Sequence, residues 1–188
     1  LVAGDPLMAL LTLGLGGTAF LFRGGRPKLS SCLLFAAALV PGLAAAFAIA
    51  HHHTLAGLGL ILLNRLLDGL DGAVARATHP TDFGGFLDIV ADFVFYIAVP
   101  IGFAMAQPTN QLPALWLVGS FALTGTSFLA FATLAAKRGI ETGAHGRKSF
   151  FYDTGLAEGT ETIAVFVVMC MFPAWFGAIA YGYAALCG

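Results

Sequence analysis

Four aspartates, Asp68, Asp71, Asp88 and Asp92, stand in one stretch, DGLDGAVARATHPTDFGGFLDIVAD, between long apolar runs. Carboxylates at membrane depth are expensive to hold in hydrocarbon and mark functional sites by default. Asp68 and Asp71 are spaced i, i+3, and Asp88 and Asp92 i, i+4, so each pair shares one face of a helix. A short linker joins the two helices, which predicts antiparallel neighbours whose acidic ends meet at one depth. Four converging carboxylates repel one another unless cations neutralise them, and hard oxygen donors in this number suit Mg²⁺ or Mn²⁺. Two such ions about 4 Å apart clamp a diphosphate and favour in-line displacement at phosphorus. A carboxylate not fully committed to metal can take the proton of an attacking hydroxyl. Gly72, Ala75, Gly84 and Gly85 clear the faces beside the acids, where a large ligand can approach the backbone. Arg76 adds a planar fork suited to phosphate.

The elements that must position these residues are membrane helices. Of the 188 residues, 59% are hydrophobic and 10% charged, against roughly 25% charged in soluble domains. Apolar runs of about 20 residues read as transmembrane segments. They fall at 7–22, 31–50, 54–76, 84–105, 114–136 and 156–172, with a short last segment from Ala174 to Cys187 after Pro173. The linker 77–83 carries Pro80 and breaks the helix. The run at 7–22 has no basic region before it and no small-residue cleavage site after it, so it is expected to be a retained helix. The fold class expected is an all-α membrane protein, a six-transmembrane-helix bundle with an extra N-terminal helix. Residues 1–29 would form that helix and a basic loop, and 30–188 the membrane domain.

Charge distribution sets an expected orientation. The nine Lys and Arg residues are Arg23, Arg26, Lys28, Arg65, Arg76, Lys137, Arg138, Arg147 and Lys148. If the segments alternate, all fall on one side, and the turns at 51–53, 107–113 and 173 have none. Positive residues are retained in the cytoplasm, so the aspartates are expected to face it. A net charge of −1 gives no ground for a nucleic-acid partner. Cys32, Cys170 and Cys187 have no metal-type spacing and read as small apolar residues.

The pattern Asp68-x-x-Asp71-Gly72-x-x-Ala75-Arg76, seven residues, then Gly84-x-x-x-Asp88-x-x-x-Asp92 resembles the signature of the CDP-alcohol phosphatidyltransferase family in every defining position. The apolar layout from residue 31 onwards is similar to that family's six-helix membrane domain. The resemblance implies that Asp68, Asp71, Asp88 and Asp92 are ligands of two Mg²⁺ or Mn²⁺ ions, with Asp92 also the catalytic base. Gly72, Ala75 and Gly84 would border the cytidine nucleotide, and Arg76 its phosphates. The implied reaction is attack of an alcohol acceptor on CDP-diacylglycerol, releasing CMP, in a homodimer in the lipid bilayer of the bacterial inner membrane. A CDP-amino alcohol phosphotransferase acting on diacylglycerol is the alternative within the family. The family usually has an Asn and a Thr at the start of its first helix; PKLSSCLL stands there instead, so Ser30 or Ser31 would supply that contact.

Lys137, Arg138, Arg147 and Lys148 read equally as topology determinants attracting anionic headgroups and as contacts to a phosphate of donor or acceptor. Glu158 and Glu161, i, i+3 at a helix start, read as dipole partners or as contacts to a cationic acceptor. Asn64 and Arg65, one turn before Asp68, would orient its carboxylate or make an interior helix–helix contact. Asp82 reads as a loop residue and His51, His52 and His53 as a solvated turn. A cation transporter using the same aspartates is the rival from another class, and a family-derived protein that binds without turnover a third reading. The acids cluster near one surface and line no path across the membrane, which disfavours transport.

Overall fold

The computed structural model describes residues 29–77, 82–138 and 159–187, with the side chains at 29–38, 71–77, 82–84 and 136 left aside. The described residues form six α-helices: α1 (Leu29–Ala50), α2 (Thr54–Ala77), α3 (Asp82–Ala106), α4 (Gln111–Lys137), α5 (Gly159–Met171) and α6 (Phe176–Cys187). Single 3₁₀ turns at Pro108–Asn110 and Pro173–Trp175 separate α3 from α4 and α5 from α6. No strand occurs among the described residues. The run at 7–22, and with it the proposed 1–29 domain, lies outside them.

The helix breaks fall where the sequence puts turn residues, with small shifts. Helix α3 begins at Asp82 rather than Gly84, which moves Asp82 from a loop to the first residue of a helix. The histidine turn is built from the backbone. His53 N–H donates to Ala48 O (2.9 Å) and His52 N–H to Ile49 O (2.9 Å), with His52 at φ 64°. This is the Schellman arrangement, which usually places Gly in the left-handed position. All three histidines are exposed, as expected of a solvated turn.

The helix ends without Lys or Arg are brought together. Phe103 near the end of α3 stacks on Phe176 at the start of α6, ring centroids 4.5 Å apart, and buried Asn110 donates to Phe103 O at 3.2 Å. Near the end of α1, Ala46 meets α3 at Gly102. The turns at 51–53, 107–110 and 173–175 therefore share one end of the bundle.

Helix α1 is the spine. It packs along both α2 and α3, while α4 packs on α3 and α6, and α5 on α2. Its seam is made of small residues. A Cβ on Gly102 would meet the Ala46 carbonyl oxygen at 2.5 Å, and one on Gly57 would meet Ile49 Cγ1 at 2.5 Å and Ala45 O at 3.2 Å. Close backbone approach through Gly and Ala is how apolar helices gain packing when lipid is as apolar as they are. Around this seam lies a core of Ile49, Ile61, Phe95, Phe103, Phe121 and Phe166.

By length and composition, Gly85–Ala106 and Pro108–Ala135 are apolar enough to cross a membrane. Helices α5 and α6, bent by 113° at Pro173, make a third span if they count as one. Two or three spans among the described residues is thus what the helices themselves carry.

Replacing Gly102 with Ala is expected to lower the thermal midpoint in detergent, because the new methyl meets backbone that cannot rotate away. Gly59→Ala, where a Cβ meets nothing within 4 Å, is expected to leave it unchanged or raised. An overpacked core position costs about 1–3 kcal/mol, well within reach of a melting curve.

Candidate active site

Helices α2 and α3 run in opposite directions from the shared turn end. Asp68 lies fourteen residues after Thr54, and Asp92 fourteen before Ala106. At about 1.5 Å per residue both stand roughly 21 Å from that end, at one depth. Asp71 and Asp88 lie a further turn along their helices. Sequence spacing therefore does bring the acidic segments level with each other.

The two helices do not pack backbone to backbone there. Among the described residues α2 makes its close contacts with α1 and α5. Arg65 closes the gap with its side chain. Its Nη1 donates to Asp92 Oδ1 at 2.9 Å and to Asp68 Oδ2 at 3.4 Å. Its Nε and Nη2 both donate to Asn64 Oδ1, at 2.9 and 2.7 Å. The guanidinium carbon lies 4.7 Å from the centre of the Phe95 ring, a cation–π contact. Arg65 retains 19% of its side-chain exposure, Asp68 25% and Asp92 29%, so the group is half-buried. Gly42 of α1 makes room for it: a Cβ there would meet Phe95 Cδ2 at 2.9 Å and Asn64 Nδ2 at 3.6 Å.

The other expected site residues fall into three groups. Asp88 is exposed, one turn from Asp92 on α3. Asp71, Gly72, Ala75 and Arg76 occupy the last turns of α2, and Gly84 the first turn of α3, but their side chains lie outside the described residues. Arg147, Lys148 and Glu158 lie outside them altogether. Lys137 and Arg138 are exposed at the far end of α4. Lys137 is twelve residues beyond Gly125, which packs on Phe93 next to Asp92, so it stands roughly 18 Å further along the helix axis. Glu161 is exposed in the first turn of α5.

A family model described as CDP-alcohol phosphatidyltransferase matches residues 29–187, nearly all that the six helices cover. The chain belongs to this family. The inner membrane protein YnjF of Escherichia coli (strain K12) is 58% identical over 134 residues, covering 71% of this chain and 65% of that protein. The phosphatidylcholine synthase of Legionella pneumophila subsp. pneumophila (strain Philadelphia 1) is 27% identical over 156 residues, covering 73% of this chain and 59% of that protein. The chain thus spans a little under two thirds of the length of these curated relatives. No solved structure matches it. Apolar helices and an inner-membrane relative together make this a membrane protein.

Residues that the family signature does not name complete the surroundings. The reach of Arg65 to Asp92, 27 residues away, has no local sequence signal, although its i, i+3 spacing to Asp68 does. Tyr96 follows Asp92 by one turn on α3. Its hydroxyl lies where a Cβ on Gly159 would come within 2.9 Å, so it meets the first residue of α5. Its ring sits 6.1 Å from Phe121 and 6.4 Å from Phe166. Thr162 and Tyr183 share a hydrogen bond of 2.9 Å one turn further down α5.

The donor set suits a hard divalent cation. Asp68 and Asp92 already share one cationic nitrogen, the arrangement that charge neutralisation of paired carboxylates requires. Among the described residues no three His, Cys, Asp or Glu side chains form a ligand group, with Asp71 outside them.

Tyr96→Phe is expected to keep the ring packing and change stability by less than about 1 kcal/mol. Tyr96→Ala opens a cavity among aromatic rings and is expected to cost about 3–5 kcal/mol. Thermal melts of the two variants in one detergent check the difference.

Proposed function

We propose that the protein is a membrane phosphotransferase of phospholipid synthesis that moves a phosphatidyl group from CDP-diacylglycerol to an alcohol acceptor and releases CMP. One observation carries the reading: Asp68 and Asp92, fixed positions of the family signature, meet at one nitrogen of Arg65 at a common depth. Asp68, Asp71, Asp88 and Asp92 are the ligands this reading assigns to Mg²⁺ or Mn²⁺, which when bound supply the positive charge that offsets the diphosphate.

The chain's own residues would do the rest. Gly72, Ala75 and Gly84 would border the cytidine nucleotide, and Arg76 would pair with its phosphates. Asp92 accepts the proton of the acceptor hydroxyl as that oxygen forms its bond to the phosphatidyl phosphorus. The bond from that phosphorus to the oxygen bridging to CMP breaks, and CMP leaves with the electron pair. The proton remains on the Asp92 carboxylate until it passes to water. Half-burial of Asp68 and Asp92 limits water beside them and strengthens each charge contact there.

The same reading takes the domain as six membrane spans, preceded by the apolar segment at 7–22. It places the acids on the cytoplasmic side, where the Lys and Arg residues collect, and takes the working unit as a homodimer. For the acceptor, Glu161 and the relative named as a phosphatidylcholine synthase favour a cationic amino alcohol, while Lys137, Arg138, Arg147 and Lys148 favour a phosphorylated one. A CDP-amino alcohol donor with diacylglycerol as acceptor is the second reading, favoured by the same Glu161.

Purified protein with Mg²⁺ or Mn²⁺ is expected to release CMP from CDP-diacylglycerol when a panel of alcohols is supplied, the product lipid being identified by mass. Asp92→Asn is expected to reduce CMP release by about a thousandfold or more, since general-base loss alone is worth roughly 10²–10⁴, while nucleotide binding persists. Wild-type CMP release by that variant removes Asp92 from the base role. Metal flux into liposomes without CMP release from any alcohol replaces the enzyme by a transporter.

A further inference from the structure

We infer that Arg65 is a positioning residue, a permanent internal cation that sets the carboxylates of Asp92 and Asp68 before any metal arrives. The inference deepens the phosphotransferase reading and rests on it for its kinetic consequence, but its electrostatic part stands without it.

All three guanidinium nitrogens are engaged. Nε and Nη2 converge on the single oxygen Oδ1 of Asn64, whose side chain is 1% exposed. The remaining nitrogen, Nη1, is thereby aimed at Asp92 and Asp68. Phe95 backs the guanidinium plane from α3. A planar fork held this way has little freedom left to lose, unlike a lysine at the same place. A snorkelling arginine turns its head to water and leaves its stem in the apolar layer. Here the head is turned inward, to an amide and two acids.

Two consequences follow for the acids. Arg65 occupies Asp92 Oδ1 and Asp68 Oδ2, which fixes the plane of each carboxylate and leaves the opposite oxygen of each for a further partner. It also places one positive charge beside the two negative ones of Asp68 and Asp92, so it both pre-pays part of their repulsion and weakens the pull on a further cation. Removing it should therefore tighten metal binding while disordering the carboxylates. A side chain that merely stapled α2 to α3 would act otherwise, its loss weakening metal binding and turnover together.

The test uses the full chain in detergent with Arg65→Met, Arg65→Lys and Asn64→Ala. Mn²⁺ affinity is read from the electron paramagnetic resonance of free Mn²⁺, and turnover from CMP release at saturating metal. For Arg65→Met, Mn²⁺ is expected to bind at least about threefold more tightly, the sign that loss of a nearby like charge demands. Its kcat is expected to fall by about a hundredfold, the scale of a misplaced reacting group, with KM for CDP-diacylglycerol within threefold. Arg65→Lys keeps the charge and is expected to hold Mn²⁺ within twofold of wild type while recovering part of kcat. Asn64→Ala keeps Arg65 but frees its fork, so kcat should fall with Mn²⁺ affinity unchanged. Weaker or unchanged Mn²⁺ binding in Arg65→Met overturns the inference. If that variant does not fold, wild-type kcat in folded Asn64→Ala overturns it instead. Absence of CMP release from wild type with any alcohol, alongside the expected Mn²⁺ pattern, would defeat the phosphotransferase reading and leave the counter-ion role of Arg65 standing.

Discussion

Acids held at membrane depth have to be neutralised, and the rest of this molecule can be understood from how that is done. An isolated carboxylate in hydrocarbon costs several kcal/mol even after relaxation. Asp68 and Asp92 share the guanidinium of Arg65, and Arg65 is itself secured by Asn64 and Phe95. Four polar side chains from two helices thus form one connected group, with the Phe95 ring against it. Such a group tolerates burial only when every member is satisfied. No described buried side-chain nitrogen or oxygen lacks a hydrogen-bond partner.

That group needs a rigid frame, because α2 and α3 do not pack tightly against each other. The frame is α1. Gly102 lies on Ala46 and Gly57 on Ile49 near the turn end, so α1 draws both acid-bearing helices together there. Higher up, Gly42 lets Phe95 and Asn64 approach α1 from either side. Each acid-bearing helix is tight on α1 near the turn end, and the two are bridged by long side chains at the acidic end. Arg65 and Phe95 therefore span at the acidic end what α1 holds together at the turn end.

Much of this was legible in the sequence, and the reasons differ by element. The apolar runs gave helices nearly at their observed bounds, since no alternative structure satisfies backbone groups in lipid. The i, i+3 and i, i+4 spacings placed the acids on their faces because helix geometry is local. Charge-free turns at 51–53, 107–110 and 173–175 gathered at one end, as alternation required. What escaped was non-local. That Arg65 reaches Asp92 rather than only Asp68 depends on the distance between α2 and α3, which α1 sets. Asp82 reads as a loop residue because it lies outside the spacing of the other acids, yet it falls within α3. The antiparallel pair with its acids at one depth follows from the short linker, but small residues at the contacts with α1 decide which backbones touch.

Helix α5 supplies the wall that α1 cannot. It packs along α2, and its Phe166 meets Phe95 of α3 edge to face at 5.7 Å. Its Gly159 stands against the Tyr96 hydroxyl, four residues beyond Asp92 toward the turn end. The wedge between α2 and α3 is therefore floored by Tyr96 and Phe95, closed on one side by α1 and on the other by α5. The first turn of α5, where Glu161 is exposed, thus stands within about one turn of α3 from Asp92.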